Sequence, residues 1–399
     1  MKYIVLLGDG MSDKKVDELG GKTPLQAAKT PNMDHIARRG VMGLVRTVPD
    51  GFHPGSDVAN LSVFGYDPRT CYTGRSPLEA ASIGVELGPK DVAFRVNLVN
   101  LHPKGGRLFM HDYSAGHIST AEGRELLKAL QEGLGNDEFQ FYPGVGYRHL
   151  MVWRGGPDGM TVTPPHDITG QDVADYLPRG DGADQLIRLM NDAQQLLCNH
   201  PQYRRRVAEE KLPANSIWFW GHGRPPRMVS FKEKFGITGA VISAVDLVRG
   251  IGVYAGMEVI KVEGATGYID TNYEGKANAA IDALRRVDYV YLHVEAPDEA
   301  GHSGNLADKI RAIELFDERI VGPVLEGMKV FPEYRIACLP DHPTPIRLMT
   351  HTSAPVPFII YSGEEEAKEG VAGYDEDSAE AAGLYIEDGF RLMDILMKK

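Results

Sequence analysis

Seven side chains carry one kind of chemistry, and each falls at the edge of a strand-like segment: Asp9, Ser56, Asp298, His302, Asp341, His342 and His351. Asp9 ends the apolar run KYIVLLGDG, and Asp298 and His302 follow VDYVYLHV. Asp341 and His342 follow RIACLP, and His351 comes just before VPFIIY. Carboxylates and imidazoles suit divalent ions such as Mn²⁺, Mg²⁺ or Zn²⁺, and seven such groups are enough for two of them. Parallel α/β sheets place ligands at the carboxyl ends of their strands, so residues far apart in sequence converge there.

Each residue also has a plainer reading. Ser56, in PGSDVAN, stands where a Gly-Pro loop meets a helix. The free N–H groups and dipole of a helix N-terminus seat a phosphoryl group, but a capping serine looks the same. Asp298 and His302 are four apart and share one side of a helical turn, as a surface pair would. Asp341 and His342 are adjacent between Pro340 and Pro343, where a rigid loop can aim them at two ions. Asp9 fits a turn equally well, and the weight lies in the combination. Arginine forks clamp phosphate and carboxylate, and Arg75, Arg148, Arg224 and Arg227 are candidates, although a lone arginine is usually a surface charge. His117 is a weaker candidate, and Lys276 either touches phosphate or starts a helix.

These groups need a scaffold of alternating strand and helix. A strand over Tyr3 to Leu7 leads to a helix from Asn32 to Arg39, a strand in VMGLVRTV and a helix beginning at Ser56, capped by Ser56 or Asp57. From Asp91 to about Gly180 the texture changes to short strands between Gly and Pro turns, VAFRVNLVNL, RLFMHDY, FQFYPG, YRHLMVWRG and MTVTPP, with one helix at Thr120 to Gly133. This predicts a smaller α+β domain over 91–180 inserted into an α/β core of 1–90 and 181–399. A helical stretch runs from Gly182 to about Lys211, and SIWFWG resumes the core strands. A helix over Leu306 to Met328 carries the stripe Ile310, Ile313, Phe316, Ile320 and Val324. GEEEAKE, from Gly363, reads as solvated surface.

The chain has 399 residues, which favours two domains. Its net charge of −12 argues against nucleic acid or an anionic membrane as the main partner. Three cysteines without a CxxC pair favour a reducing compartment. No run approaches a membrane span and the first apolar stretch is too short for a signal core, so the cytoplasm is expected. The oligomeric state is not legible.

The ordered set GDG, PGSD, PDEAGH, PDH and THTSAPVPF resembles the alkaline phosphatase superfamily, and more closely the archaeal-type, cofactor-independent phosphoglycerate mutases. Further similar segments, among them ELGGKTPLQAAKTPNMD, GYDPRTCYTGRSPLEAASIGVEL, PANSIWFWGHGRPP and HVEAPDEAGHSGN, extend the resemblance over almost the whole chain. It implies an alkaline-phosphatase-like three-layer α/β sandwich in which the inserted domain caps the substrate. It implies that Ser56 is the nucleophile that becomes phosphoserine. One ion would be held by Asp9, Ser56, Asp341 and His342, and another by Asp298, His302 and His351. Mn²⁺ is the first choice, with Mg²⁺, Co²⁺ or Zn²⁺ as alternatives, and a small phosphorylated molecule is the substrate.

Two stretches depart from that family. Asn60, in GSDVANLS, stands where archaeal-type mutases often carry histidine, and HDYSAGHIST replaces an arginine-rich turn. Both are expected to touch the substrate. A bacterial branch of similar sequence implies a second reading, transfer to homoserine, whose ammonium would call for an acidic group such as Asp112; plain phosphatase chemistry is a third. The chain has no GxxxxGK[ST] nucleotide loop, since GGKT at Gly20 lacks the upstream glycine. A non-catalytic metal-binding protein is the remaining class, and a lost ligand or nucleophile would be its signature.

Overall fold

The apolar runs form thirteen strands among the described residues of a computed structural model, 1–363 and 373–398. They are β1 (Lys2–Gly8), β2 (Val41–Val45), β3 (Val92–Lys104), β4 (Arg107–Asp112), β5 (Phe139–Val145), β6 (Arg148–Trp153), β7 (Ser216–Gly223), β8 (Gly239–Ile242), β9 (Glu258–Ile260), β10 (Tyr289–Val294), β11 (Tyr334–Leu339), β12 (Val356–Tyr361) and β13 (Tyr385–Ile386). The chain divides into two compact units, Met1–Tyr72 with Arg227–Lys399, and Thr73–Pro226. From Glu364 onward the GEEEAKE run lies outside the described residues. No helix among them is long and apolar enough to cross a membrane.

The first unit is built on an eight-stranded sheet in the order β13-β2-β12-β11-β1-β10-β8-β9. Strands β11, β1, β10, β8 and β9 run parallel, and β12 runs against β11. The start of β12 therefore lies at the same edge as the ends of β1, β10 and β11. Successive residues of a strand face opposite sides. Ile4, Leu6, Val290, Leu292 and Ile336 join one core with the helices Pro31–Arg39, Tyr273–Leu284 and Leu306–Phe316. On the other side Tyr291 stacks on Phe64, just past the helix Ser56–Val63, at 3.9 Å between centroids. Tyr289 meets Phe231 of the helix Phe231–Phe235 at 4.6 Å. Helices on both faces make three layers.

The helix expected over Leu306 to Met328 is interrupted by a π-helical turn, Asp317–Val321, before Gly322–Met328. The buried Asp317 carboxylate accepts from Met33 N at 2.7 Å and Asn32 N at 3.2 Å. It thereby caps the helix Pro31–Arg39, whose own N-cap Thr30 supplies no side-chain bond.

The second unit is an antiparallel sheet, β4-β3-β6-β5, with β7 pairing the other edge of β3. Its limits differ from those expected at 90 and 180. SIWFWG becomes β7 and pairs with β3 rather than with the core sheet. The preceding helix Ala183–Asn199 belongs to the same unit, burying Leu186, Met190, Ala193 and Leu197 in one core with Ile217 and Phe219. The helical stretch breaks at His200, because the residue before Pro201 is pushed out of helical geometry, and restarts as Pro201–Ala208. MTVTPP forms only an isolated bridge, Thr161 to Arg179. The incoming and outgoing chains cross at a neck, where Thr73 Oγ1 donates to Arg224 O at 2.6 Å. A Cβ on Gly74 would meet His222 O at 2.2 Å, and one on Gly223 would meet Thr73 O at 2.1 Å.

The second unit carries an acid-sensitive group. His149 is buried, and its Nδ1 accepts from Gly144 N at 3.0 Å. Burial, with help from Arg124, lowers its pKa to about 4. The unfolded chain takes up this proton nearer pH 6.5. Stability should therefore fall as pH drops from about 6.5 to about 4, by at most ~3 kcal/mol, and level off below. The protein's three tryptophans, Trp153, Trp218 and Trp220, all lie in this unit, so their fluorescence reports on it alone. The urea midpoint should drop over this window in the wild type and stay flatter in His149→Asn; parallel slopes would contradict the assignment.

Candidate functional site

The carboxyl edge of the first unit's sheet gathers the predicted ligands. Asp9 follows β1 and donates its N–H to Val294 O, at the end of β10. Asp298 and His302 ride the helix Ala296–His302 after β10, Asp341 and His342 follow β11, and His351 precedes β12. Asp9, Asp341 and His342 form one group whose ligand atoms all lie within 4.8 Å of one another; Asp298, His342 and His351 form another. His302 Nε2 lies 3.2 Å from Asp298 Oδ2 and 2.8 Å from His351 Nε2. Ser56 Oγ is 3.1 Å from His342 Nε2. All seven residues thus adjoin, but His342 belongs to both groups instead of one. A third group, Asp9, His293 and Glu295, was not foreseen. Its signal was a histidine inside an otherwise apolar strand.

Hydrogen bonds fix which ring nitrogens are bare. Thr344 Oγ1 donates its only proton to Asp298 Oδ1. It must then accept from His342 Nδ1, 3.3 Å away, which leaves His342 Nε2 bare toward Ser56. Met349 O, 3.0 Å from His302 Nδ1, accepts from that nitrogen and turns His302 Nε2 toward Asp298 and His351. Burial raises the Asp9 pKa well above the carboxylate range, and the charges of Asp341 and Asp298 add to it. Burial also opposes ionisation of Asp298, but hydrogen bonds from His302 and His351 outweigh it and hold the pKa well down. For His302 burial lowers the pKa, and Asp298 overrides it, raising it to about 9.

The donor set fits divalent cations. Asp9, Asp298 and Asp341 are buried within a few ångströms of one another, and Asp9 Oδ1 makes no hydrogen bond. Three buried carboxylates repel unless cations offset them. The imidazole nitrogens complete a set of oxygen and nitrogen ligands.

Ser56 was expected either to cap its helix or to stand free. The N-cap is Gly55, and Ser56 is the first helical residue. Asp57 is likewise no cap: its Oδ1 accepts from Val58 N and its Oδ2 from Tyr72 OH at 2.6 Å. The Ser56 hydroxyl is left facing His342.

Asn60, expected at the substrate, is fully buried. Its Nδ2 donates to Asp341 Oδ2 at 2.7 Å and to Ser56 O at 2.8 Å, and its Oδ1 accepts from Tyr291 OH at 2.6 Å. It orients Asp341 from beneath. Asn60→Ala should lower kcat about 10- to 100-fold with KM nearly unchanged, as loss of an outer partner does. A KM increase matching the kcat loss would return Asn60 to the substrate.

Lys276 does not start its helix, which begins at Tyr273. It is buried, donates to His293 O at 3.2 Å, and burial lowers its pKa to about 8. Arg227 is exposed.

In the second unit Arg75 Nε donates to Glu79 Oε1 at 2.8 Å. Arg95, which the sequence reading missed, is buried on β3, 3.4 Å from Glu79 and stacked 4.5 Å over Trp220. A charge inside the apolar strand AFRVNL was its signal. Arg148 is exposed over Tyr147, and its charge helps hold the Glu79 pKa down. Exposed His117 edges the same Tyr147 ring at 6.3 Å. Arg224 is committed elsewhere, to Asp158 Oδ2 at 2.5 Å, to Gly156 O at 2.9 Å and to Lys90 O.

A family model described as 2,3-bisphosphoglycerate-independent phosphoglycerate mutase matches residues 37–203. A Geobacter sulfurreducens protein named "Probable 2,3-bisphosphoglycerate-independent phosphoglycerate mutase" is 72% identical over the full length of both chains. A Methanosarcina barkeri protein named 2,3-bisphosphoglycerate-independent phosphoglycerate mutase is 53% identical, also over both full lengths. Among solved structures, a Pyrococcus horikoshii protein aligns with a TM-score of 0.84 at 30% identity, covering 99% of this chain and 96% of its own. A cofactor-independent phosphoglycerate mutase from Thermoplasma acidophilum aligns with a TM-score of 0.68 at 28% identity, covering 100% and 99%.

Proposed function

The chain belongs to the 2,3-bisphosphoglycerate-independent phosphoglycerate mutase family, and from that membership we propose that it interconverts 2-phosphoglycerate and 3-phosphoglycerate through a phosphoryl group carried on Ser56. The observation that carries the reading is the Ser56 hydroxyl, spared from capping and 3.1 Å from the bare His342 Nε2 amid six ligand side chains.

Asp9, Ser56, Asp341 and His342 would hold one cation, Mn²⁺ first, and Asp298, His302 and His351 another; His342 also adjoins Asp298 and His351. Bound there, such ions lower the pKa of the serine hydroxyl and take up charge on the transferring oxygens. Ser56 Oγ attacks phosphorus in line as the ester C–O–P bond breaks, and the proton that Ser56 loses balances the alkoxide released. The glycerate turns, its other hydroxyl attacks the phosphoserine, and Ser56 regains a proton. No bisphosphate primer is consumed, because the phosphoryl group starts and ends on the same glycerate. Arg75, Arg95 and Arg148 are the proposed grip on the carboxylate, since the guanidinium fork matches it. Arg224 is left out because four of its five N–H donors are committed to Asp158, Gly156 and Lys90. A cytoplasmic setting accompanies this reading.

The homoserine reading rested on the departures at Asn60 and HDYSAGHIST. Asn60 touches ligand residues, as described above. Asp112 Oδ1 accepts from Ser114 N, Ser114 Oγ and Gly116 N, which ties that oxygen into its own turn. Phosphorus NMR on the Mn²⁺-loaded protein, given 3-phosphoglycerate and no 2,3-bisphosphoglycerate, should show 2-phosphoglycerate growing in to equilibrium. Free phosphate alone would make it a phosphatase. Phosphohomoserine formed with homoserine present, and no interconversion, would overturn the mutase reading.

A further inference from the structure

We propose that Lys309 is a positioning residue that sets the affinity of the site for its metals, by locking the loop after β1 to the loop after β11. The proposal rests on the two-metal reading above.

Lys309 lies on the helix Leu306–Phe316, is fully buried, and touches none of the candidate ligands directly. Its ammonium donates to Thr344 O at 2.7 Å, to Asp13 Oδ2 at 2.8 Å and to Ser12 O at 3.4 Å. Three donors meet three acceptors, two from the loop that begins at Asp9 and one from the loop that carries Asp341 and His342. Asp13 Oδ2 also accepts from Ile346 N at 2.9 Å, and Thr344 N donates to Ser12 O at 3.2 Å. Glu376 holds the first loop from its other side, accepting from Ser12 Oγ at 2.9 Å and Asp13 N at 3.0 Å.

The clamp ends on Thr344, the residue that orients the ligands. Its hydroxyl bonds Asp298 and sets the tautomer of His342, as described above. A Cβ at Gly10, one residue past Asp9, would lie 2.6 Å from Asp298 Oδ1 and 2.7 Å from Thr344 Oγ1, so the loops meet at contact distance. A helix that needed only to cover the core would use an apolar residue here. A buried ion pair is a poor source of stability compared with apolar packing. Its return here is geometric: a shift of Thr344 would displace Asp298 and His342 together. Losses of 10- to 100-fold in metal affinity are typical when the partner that orients a ligand is removed.

Lys309→Met alone strands the Asp13 charge and can unfold the loop, so the informative variant is Lys309→Met with Asp13→Asn. Mn²⁺ is titrated calorimetrically into metal-free wild type and double variant, with melting and amide exchange of the metal-free proteins alongside. The wild type should bind two ions. The double variant should melt within a few degrees of wild type, bind at least one ion about 10- to 100-fold more weakly, and exchange the Thr344 and Ile346 amides faster. Turnover should recover at saturating Mn²⁺. Wild-type affinity in a folded double variant overturns the proposal. A wild type that binds no Mn²⁺ removes the two-metal reading itself and this proposal with it.

Discussion

Ser56→Ala should lose at least roughly a thousandfold in turnover while keeping its fold and metals, because it deletes the proposed carrier of the phosphoryl group between two hydroxyls. Water can take the phosphoryl group but cannot hand it back to the same glycerate. The substitution leaves the helix Ser56–Val63 intact, since Gly55 is its N-cap and the Ser56 hydroxyl caps nothing. Asp341 keeps its bonds from Asn60, Gly10 and His342 N. The measurement is coupled turnover of 3-phosphoglycerate with metal content and circular dichroism as controls. Retention of more than about a hundredth of wild-type activity would sink the covalent role. Labelled phosphate on wild-type protein, absent from the variant, would locate it directly.

His342→Ala should be the most damaging ligand substitution, since this imidazole sits in both of the groups built from the predicted ligands. Removing it breaks both of these groups at once. Of these two groups, His351→Ala and Asp9→Asn each leave one intact. Metal analysis after desalting should give less than one ion per chain for His342→Ala and about one for His351→Ala, with turnover falling in the same order. Equal metal loss in all three would mean that the ions bind as one cooperative unit and that His342 has no special place. Full retention in His342→Ala would remove it from the ligand set.

Much of the site was legible because its residues punctuate strands. Asp9, Asp298 and Asp341 each follow an apolar run, and a parallel sheet brings such ends to one edge. What sequence could not show was orientation. Asn60 and Ser56 are four apart on one helix, and nothing in their spacing says that Asn60 bonds Asp341 while Ser56 faces His342. The shared place of His342 was hidden for the same reason, since adjacency of Asp341 and His342 does not reveal that His342 adjoins both groups. Arg95 and Lys309 escaped because a charge is assumed to seek water, and only tertiary contacts with Glu79 and Asp13 show why these do not. The limits of the second unit were misplaced where an antiparallel strand, β7, looked like one more core strand; its partner β3 is more than a hundred residues away in sequence. Pairing at that range leaves no local mark.

The crossing at the neck makes the second unit an excisable cassette. Thr73 and Arg224 are hydrogen-bonded, so Tyr72 and Arg227 follow within a few residues of a shared point. At 3.8 Å per residue their Cα atoms lie no more than ~20 Å apart, a gap that about six residues bridge. A gene encoding 1–72, such a bridge and 227–399 therefore specifies an uninterrupted eight-stranded sheet with all six ligand side chains and Ser56. Residues 73–226 in turn specify a fragment whose two ends meet. The two glycines that let the chains cross, Gly74 and Gly223, are the stitches of that seam: a side chain at either would run into a backbone carbonyl.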